Sequence, residues 1–125
     1  MKKENQYTVV AREAYRNIID SNMTFQQAWE TAAKKNISSK VSQKKQCPMH
    51  AFLGFCESGD LHGISGTHTS DNINYQYARF ALDEWKKDET ITGVEMWKKV
   101  YEKFKRAAGH QGQLDVVEGL RRYSR

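Results

Sequence analysis

Residues 42–47, with the sequence SQKKQC, have the types and spacing best suited to binding an anion. The two lysines carry positive charge, and serine and glutamine side chains can donate hydrogen bonds. Pro48 follows directly, and proline is favoured at the first position of a helix, so Cys47 is predicted to be the N-cap. The unpaired amides and the dipole at such a helix start attract anions. The candidate anion-binding residues are Ser42, Gln43, Lys44, Lys45 and Cys47.

Cys47 also has the predicted setting of an activated nucleophile. A helix start and two neighbouring lysines favour the thiolate form of a cysteine, and His50, one helical turn further on, could accept its proton. The sequence offers no third residue to orient His50 and no oxyanion donor. The simpler interpretation is a Cys-Pro helix start used for its geometry, so we expect no catalytic residue and keep a Cys47-dependent enzyme as an alternative.

The cysteines and histidines do not form a recognisable metal motif. Cys47 and His50 are separated by two residues, a spacing that fits no standard zinc site, and His50 and Cys56 diverge by about 240° around a helix. Cys47 and Cys56 would lie about 13.5 Å apart along one helix, whereas a disulfide needs Cα atoms within about 7 Å. We expect no metal, no cofactor and two reduced thiols, which favours a cytoplasmic location.

The charge distribution makes nucleic acid or a phosphate-bearing ligand a reasonable expected partner. The chain of 125 residues has 20 Lys and Arg against 15 Asp and Glu, a net charge of +5. Residues 1–46 contribute +5, residues 47–71 contribute −3 and residues 72–125 contribute +3. Basic surfaces attract polyanions, although mixed runs such as DEWKK at residues 83–87 are typical of solvated helix faces.

Two nucleotide- and DNA-binding motifs are absent from the sequence. No Walker loop is present. A helix-turn-helix is not expected, because about ten residues precede the third predicted helix where that motif uses about three or four. That helix also lacks Lys and Arg, which a DNA-reading helix normally carries.

Length and composition exclude several broad classes. The chain suffices for one domain, predicted over residues 1–125, and it has no apolar run long enough to cross a membrane. The opening residues MKKENQYTVV contain no apolar core of a secretory signal. The 14 aromatic residues are spread along the chain, which argues against disorder. We expect a soluble cytoplasmic protein without membrane contact.

Apolar residues recur at helical spacing and predict an all-α fold, a compact bundle of about six helices. The first helix is predicted over residues 4–20. Thr24 opens the second helix with Gln27 as its capping-box partner, a polar loop follows at residues 37–46, and Gly59 ends the third helix. The predicted buried stripes of these helices are Tyr7, Val10, Ala11, Ala14 and Ile18; Phe25, Ala28, Trp29 and Ala32; and Met49, Phe52, Leu53 and Cys56.

The remaining three helices follow a second polar loop at residues 65–72. Asp71 or Asn72 begins the fourth, Thr92 caps the fifth with Glu95 as partner, and the sixth covers residues 113–123. Gly109 is expected to end the fifth helix. The predicted buried residues are Ala78, Ala81, Leu82 and Trp85; Val94, Trp97, Tyr101, Phe104 and Ala108; and Leu114, Val117 and Leu120. Leu61 and Ile64 are expected to fold back onto the core.

Two segments share the same sequence pattern at a predicted helix start. TFQQAW at residues 24–29 and TGVEMW at residues 92–97 have the same cap, box position and tryptophan, 68 residues apart. Two similar three-helix halves would explain this repeat. Independent use of a common helix-start signal is the simpler explanation, since only this one motif repeats well, and duplication is kept as an alternative.

The segment SQKKQCPMHAFLGFCESGDLHGI, together with GQLDVVEGL near the end, resembles a bacterial family without an assigned activity. Its members read approximately S-Q-K-K-G-C-P-x-x-A-F-L-G-L-C-E-x-G and G-Q-x-D-V-V, and an early helix like AWETAAKK also recurs. Gln46 stands where the family pattern has glycine, and His50 falls at an open position. The resemblance implies a discrete domain over most of the chain and singles out residues 42–47, but it implies no function.

The combined expectation is a small intracellular binding module that contacts an anion or nucleic acid through the basic loop before the third helix. The first alternative is a protein–protein interaction domain, whose partner would meet exposed aromatics such as Tyr75 or Tyr123. A large exposed apolar patch away from the loop would favour it. The secondary candidate site residues, near Cys47 or at the start of the last helix, are His50, Gln113 and Asp115.

Overall fold

A computed structural model describes residues 4–105 and 112–125. These residues form seven α-helices and one 3-10 turn: α1 (Gln6–Ser21), α2 (Phe25–Asn36), α3 (Lys40–Gln43), α4 (Gln46–Glu57), α5 (Ile73–Lys87), α6 (Gly93–Phe104), α7 (Gln113–Leu120) and the 3-10 turn Arg121–Tyr123. Within the described ranges the only β pairing is an isolated bridge between Leu61 and Ser124. The predicted all-α fold is confirmed, and the predicted six helices correspond to all but the single-turn α3.

Capping residues close in sequence determine where the first two helices begin and where α1 ends. The Asn5 side chain accepts a hydrogen bond of 2.8 Å from the Tyr7 amide, so α1 begins two residues later than predicted. Asn22, in a left-handed conformation, ends it. The predicted capping box of α2 is confirmed, because Thr24 and Gln27 each accept a hydrogen bond from the other's backbone amide.

The core lies where α1 packs against α2 and α7, and where α4 packs against α5. Trp29 and Phe52 meet at its centre, with ring centroids 5.3 Å apart. Leu61 and Ile64 are buried as predicted. The predicted stripes of α1, α2, α5 and α7 are buried except for Ile18 and Phe25, which are half-buried.

The start of α4 differs from the prediction. Its first residue is Gln46 and its N-cap is Lys45, so Cys47 is the second helical residue and Pro48 the third. Proline is compatible with any position of the first turn, because amides there have no intrahelical acceptor. Pro48 is buried against the turn at Gly112, and this packing selects its place in the helix.

The loop predicted at residues 37–46 is partly structured. Ile37 is buried, and the Ser39 hydroxyl caps the one-turn α3 by accepting from the Ser42 amide at 3.3 Å. Gly59 takes the predicted left-handed conformation after α4 (φ 71°), and Gly112 takes one before α7 (φ 95°). Both glycines allow a turn whose backbone conformation is unfavourable for a residue with a side chain.

The predicted buried face of α6 is wrong. Val94 is 72% exposed and Tyr101 54% exposed, while Met96 and Val100 are fully buried. The helix carries two overlapping apolar stripes that share Trp97. One contains Val94 and Tyr101, and the other contains Met96 and Val100. Docking of α6 against α5 through Met96 and Val100 decides that the second stripe is covered. The helix ends at Phe104, with Lys105 in a left-handed conformation (φ 60°) as its C-cap, earlier than the predicted end at Gly109. Gly109 itself and the predicted core residue Ala108 lie outside the described residues.

Tyr75 and Tyr123 are not the exposed aromatics that the sequence suggested. Tyr75 is 6% exposed because α4 and α5 cross closely at its ring, and its hydroxyl donates to Asp60 Oδ2 at 2.5 Å. Tyr123 is half-buried and stacks on Tyr15, with ring centroids 4.2 Å apart. Neither offers a free aromatic surface.

The start of α6 only partly reproduces that of α2. The Glu95 amide donates to Thr92 Oγ1 at 3.2 Å, but the Glu95 carboxylate accepts from the Thr92 hydroxyl instead of the Thr92 amide. Trp29 is fully buried, whereas Trp97 is half-buried. The two proposed halves therefore share a cap and not a packing environment.

In the described ranges, no helix combines the length and apolarity required to traverse a bilayer.

Candidate functional site

The lysine-bearing loop forms one wall of a cleft between α2 and the start of α4. The cleft has a volume of about 350 Å³. Its lining residues come from α2, from α3 and from the start of α4: Gln26, Glu30, Lys34, Gln43, Lys44, Gln46 and Met49. Of the predicted anion-binding residues, the structure thus brings Gln43 and Lys44 to this cleft, and it leaves Ser42, Lys45 and Cys47 outside the lining.

Ser42 and Gln43 act as supports of the loop. The Ser42 carbonyl accepts a hydrogen bond of 3.0 Å from the Tyr7 hydroxyl, and burial raises the pKa of that phenol. The Gln43 side-chain amide donates to the Ile37 carbonyl at 2.6 Å. These bonds join the loop to α1 and to the end of α2, and they fix where the backbone presents Lys44.

The start of α4 leaves two backbone amides without an acceptor within the helix. Lys45 makes no side-chain capping bond, and its own amide donates to the Ser42 carbonyl at 3.3 Å. The amides of Gln46 and Cys47 occupy first-turn positions that have no intrahelical acceptor, and Pro48 has no amide hydrogen. Two donors and the positive end of the helix dipole therefore lie beside the lysines.

Cys47 and His50 are both half-buried near this helix start. Neither side chain takes part in a hydrogen bond among the described residues, so the pair is not preassembled as nucleophile and base. Cys56 is fully buried further along the helix, and burial raises the pKa of its thiol. Both cysteines are free thiols.

Lys34 is a site residue that sequence reasoning missed. It lies in the last turn of α2, where a lysine is readily explained by its favourable interaction with the helix dipole. Folding of the loop against α2 places it across the cleft from Lys44. Glu30 shares that lining, and its carboxylate accepts from Gln26 Nε2 at 2.8 Å.

The excess positive charge of the protein is concentrated in this region. Residues 34–46 contain five lysines and no acidic residue, whereas the rest of the chain holds 15 basic and 15 acidic residues. We call these side chains the lysine-rich corner: Lys34, Lys35, Lys40, Lys44 and Lys45. All five are exposed. The whole net charge of +5 thus belongs to one short segment, which the fold gathers at one end of α2.

The secondary candidates at the last helix have structural partners. Gln113 is 2% exposed and donates through Nε2 to Asn74 Oδ1 at 2.9 Å. The Asp115 carbonyl accepts from the Thr8 hydroxyl at 2.9 Å. The N-cap of α7 is Gly112, which has no side chain to cap the helix. Gly112 supplies the sharp entry to the helix.

The described part of the chain contains no group of three or more His, Cys, Asp and Glu side chains placed to hold a metal ion. A second cavity, of about 880 Å³, lies elsewhere, between the first turns of α6 and the outer side of α7. This α6–α7 groove is lined by Trp85, Glu89, Ile91, Gly93, Val94, Trp97, Lys98, Leu114, Asp115, Glu118 and Arg121. This groove could not be predicted from the sequence, because its apolar residues were assigned to the core.

Comparison with known proteins identifies a family for this fold. No curated protein and no solved structure matches the chain. The model of one family, described as a family of unknown function, matches residues 4–124. The chain therefore belongs to that family, DUF6979.

Proposed function

We propose that this domain binds nucleic acid by contacting its phosphate backbone with the lysine-rich corner. The observation that carries the proposal is the location of the whole net charge in residues 34–46, on exposed side chains of one region. Elsewhere, basic and acidic residues balance in number. Phosphate contacts of this kind provide most of the affinity of sequence-independent binding.

A polyanion fits the geometry better than a small phosphate does. Only Lys34 and Lys44 reach the α2–α4 cleft, and Glu30 lies between the same walls. A small phosphate needs convergent donors, and a carboxylate in the lining opposes it. A nucleic acid backbone carries many charges along its length and can meet lysines that are spread over α2, α3 and the start of α4.

The start of α4 adds directed donors to this electrostatic surface. The Gln46 and Cys47 amides lie next to Lys44 and Lys45, at the positive end of a helix of 12 residues. Backbone amides at helix starts are frequent phosphate contacts in nucleic acid complexes. They position a backbone without reading its sequence, so we expect little base specificity.

The experiment is fluorescence anisotropy with a labelled duplex and a labelled single strand, each measured from about 50 to 200 mM salt. If all five lysines each contact one phosphate, the logarithm of the duplex affinity falls with a slope of about −4.5 against the logarithm of salt, an affinity loss of about 500-fold over this range. The variant Lys44→Glu/Lys45→Glu removes two contacts, which makes the slope shallower by about 1.8.

The matched control is Lys98→Glu/Lys99→Glu, which changes the net charge equally at exposed positions on α6. It should keep the wild-type slope. Absence of oligonucleotide binding at 50 mM salt, or equal loss in both variants, would refute the proposal. Inorganic phosphate serves as the small-anion competitor, and displacement of the oligonucleotide by micromolar phosphate would point to a small-anion site instead.

A protein-interaction role is favoured by a separate observation, the exposed apolar side chains Val94 and Tyr101 on α6. The Cys47-dependent enzyme stays a prediction with less support. Cys47 and His50 have no hydrogen bond between them, although such contacts can tighten when a substrate binds.

A further inference from the structure

The α2–α4 cleft has an apolar inner end and a polar rim. Of its lining residues, Met49 and Gln43 are half-buried and the others are exposed. Met49 also packs against the hydrophobic core, so apolar surface lies at the inner end of the cleft. A methionine thioether makes favourable contacts with aromatic rings. The cleft can therefore receive a flat ring against Met49 while its rim forms hydrogen bonds to the edge of that ring.

One side of the cleft, which we call the α2 wall, carries a carboxylate and an ammonium group on successive turns. Gln26, Glu30 and Lys34 follow each other at intervals of four residues, so each lies about 6 Å further along nearly the same side of the helix. The Glu30 carboxylate accepts a hydrogen bond of 2.8 Å from Gln26 Nε2 through Oε1. It keeps further acceptor capacity, because a carboxylate has about four lone-pair sites. The α2 wall thus presents a carboxylate oriented by Gln26, next to a lysine.

The opposite side of the cleft carries the groups that suit a phosphate. Lys44 lines it, and the Gln46 and Cys47 amides at the start of α4 have no acceptor within that helix. Glu30 lies on the other side, where its carboxylate repels a phosphate but not a neutral base. The two sides therefore suit different parts of one nucleotide, the phosphate toward α4 and the base toward α2.

We propose that the α2–α4 cleft binds an unpaired guanine base of a nucleic acid strand. This inference rests on the proposed nucleic acid function and adds a base contact to it. The pairing edge of guanine has two neighbouring donors, N1–H and the N2 amino group, and the Glu30 carboxylate accepts from both. Guanine O6 and N7 are acceptors that lysine commonly contacts, and Lys34 supplies that donor. The ring packs against the Met49 side chain.

The other bases match the α2 wall less well. Adenine and cytosine each have one amino group beside a ring nitrogen that is itself an acceptor, and this nitrogen would face the Glu30 carboxylate. Uracil and thymine have a single N–H group between two carbonyl oxygens. Since pairing occupies the same edge, the base must be unpaired, as in most sequence-specific recognition of RNA. The helix-start amides read no sequence, so the preference for guanine comes from the α2 wall alone.

The probe is a set of labelled oligothymidine strands of about 12 nucleotides, a length within the range that one small domain covers. Their central base is guanine, adenine, cytosine or hypoxanthine, which resembles guanine without the N2 amino group. Fluorescence anisotropy should give about ten-fold tighter binding of the guanine strand than of the adenine or cytosine strand. The hypoxanthine strand should lie between them, because it retains the N1–H donor.

Glu30→Gln should reduce the guanine preference to about two-fold or less, because an amide replaces one of the two acceptors with a donor. The matched control is Glu102→Gln, the same change of charge and size at an exposed position on α6. It should keep the wild-type preference. Lys44→Glu/Lys45→Glu should weaken all strands by a similar factor and leave the preference unchanged, since it removes phosphate contacts.

Equal affinity for all strands would overturn this inference and leave the proposed function standing, and so would an unchanged guanine preference in Glu30→Gln. Absence of binding by every strand at about 50 mM salt would instead refute the lysine-rich corner as a nucleic acid surface, and the base site with it. Guanosine monophosphate distinguishes the two sources of the base. Displacement of the guanine strand by micromolar nucleotide would make a free nucleotide the ligand, whereas displacement only at millimolar concentration supports a base held within a strand.

Discussion

Gly54→Ala should test how tightly the crossing of α4 and α5 is packed. A Cβ atom built on Gly54 overlaps Cβ and Cγ of Tyr75 and lies 2.7 Å from its Cδ1. Alanine is normally better than glycine inside a helix by about 0.5–1 kcal/mol. Here we expect the opposite sign, because the added methyl group has no space.

The magnitude follows from how Tyr75 is held. Its hydroxyl donates to Asp60 Oδ2 at 2.5 Å, and its ring packs edge-on against Phe55 with centroids 5.3 Å apart. Relief of the overlap requires α5 to shift or this hydrogen bond to break. Overpacking costs about 1–3 kcal/mol, and a hydrogen bond to a charged group contributes about 1.5–3 kcal/mol. After the helix-propensity gain, the free energy of unfolding should fall by about 2 kcal/mol.

The assay is urea unfolding followed by circular dichroism, together with a thermal melt. A loss of about 2 kcal/mol lowers Tm by roughly 6–10 °C for a chain of this size. Gly93→Ala is the matched control, because no atom lies within 4 Å of its added Cβ and it begins an exposed helix turn. It should be neutral or slightly stabilising. A Gly54→Ala variant as stable as Gly93→Ala would refute this description of the helix crossing.

Three further predictions concern a cap, a phenol and a thiol. Thr24→Ala should lower the free energy of unfolding by about 1 kcal/mol in urea, since it removes the capping box of α2; an unchanged midpoint would contradict that role. Burial raises the pKa of Tyr75 from 10.0 to about 12, with its hydrogen bond to Asp60 acting in the same direction. The folded state therefore favours the neutral phenol. Its contribution to the free energy of unfolding is fully present below pH 10 and is lost as the pH rises to about 12. Over that range the stability of Tyr75→Phe should therefore fall less steeply than that of the wild type. Ellman's reagent should modify half-buried Cys47 quickly and buried Cys56 only on unfolding. The fast phase of the reaction should vanish in Cys47→Ser. Two fast-reacting thiols in the native protein would be inconsistent with the burial of Cys56.

Features that depend on neighbouring residues were predictable from the sequence. The capping box of Thr24, the left-handed turns at Gly59 and Gly112 and the existence of six long helices all follow from interactions within a few residues. The start of α4 was misplaced because proline fits more than one position in a first turn. Its packing against Gly112, a residue distant in sequence, selects the third position.

The candidate site was predictable only in part. The lysines of residues 42–47 were identified from their charge and their place before a helix. Lys34 was not, because only the folding of the loop against α2 brings it opposite Lys44. The same folding places the Glu30 carboxylate in the cleft, where it disfavours a small phosphate.

The amino-acid sequence by itself determined the helices, their caps and a segment that carries all of the net charge, because composition and helix formation depend on residues close together along the chain. Tertiary structure alone decided which of two apolar stripes of α6 is covered. Both stripes have helical periodicity, and only the docking of Met96 and Val100 onto α5 distinguishes them. The stripe left uncovered, with Val94 and Tyr101, is the surface that the sequence assigned to the core.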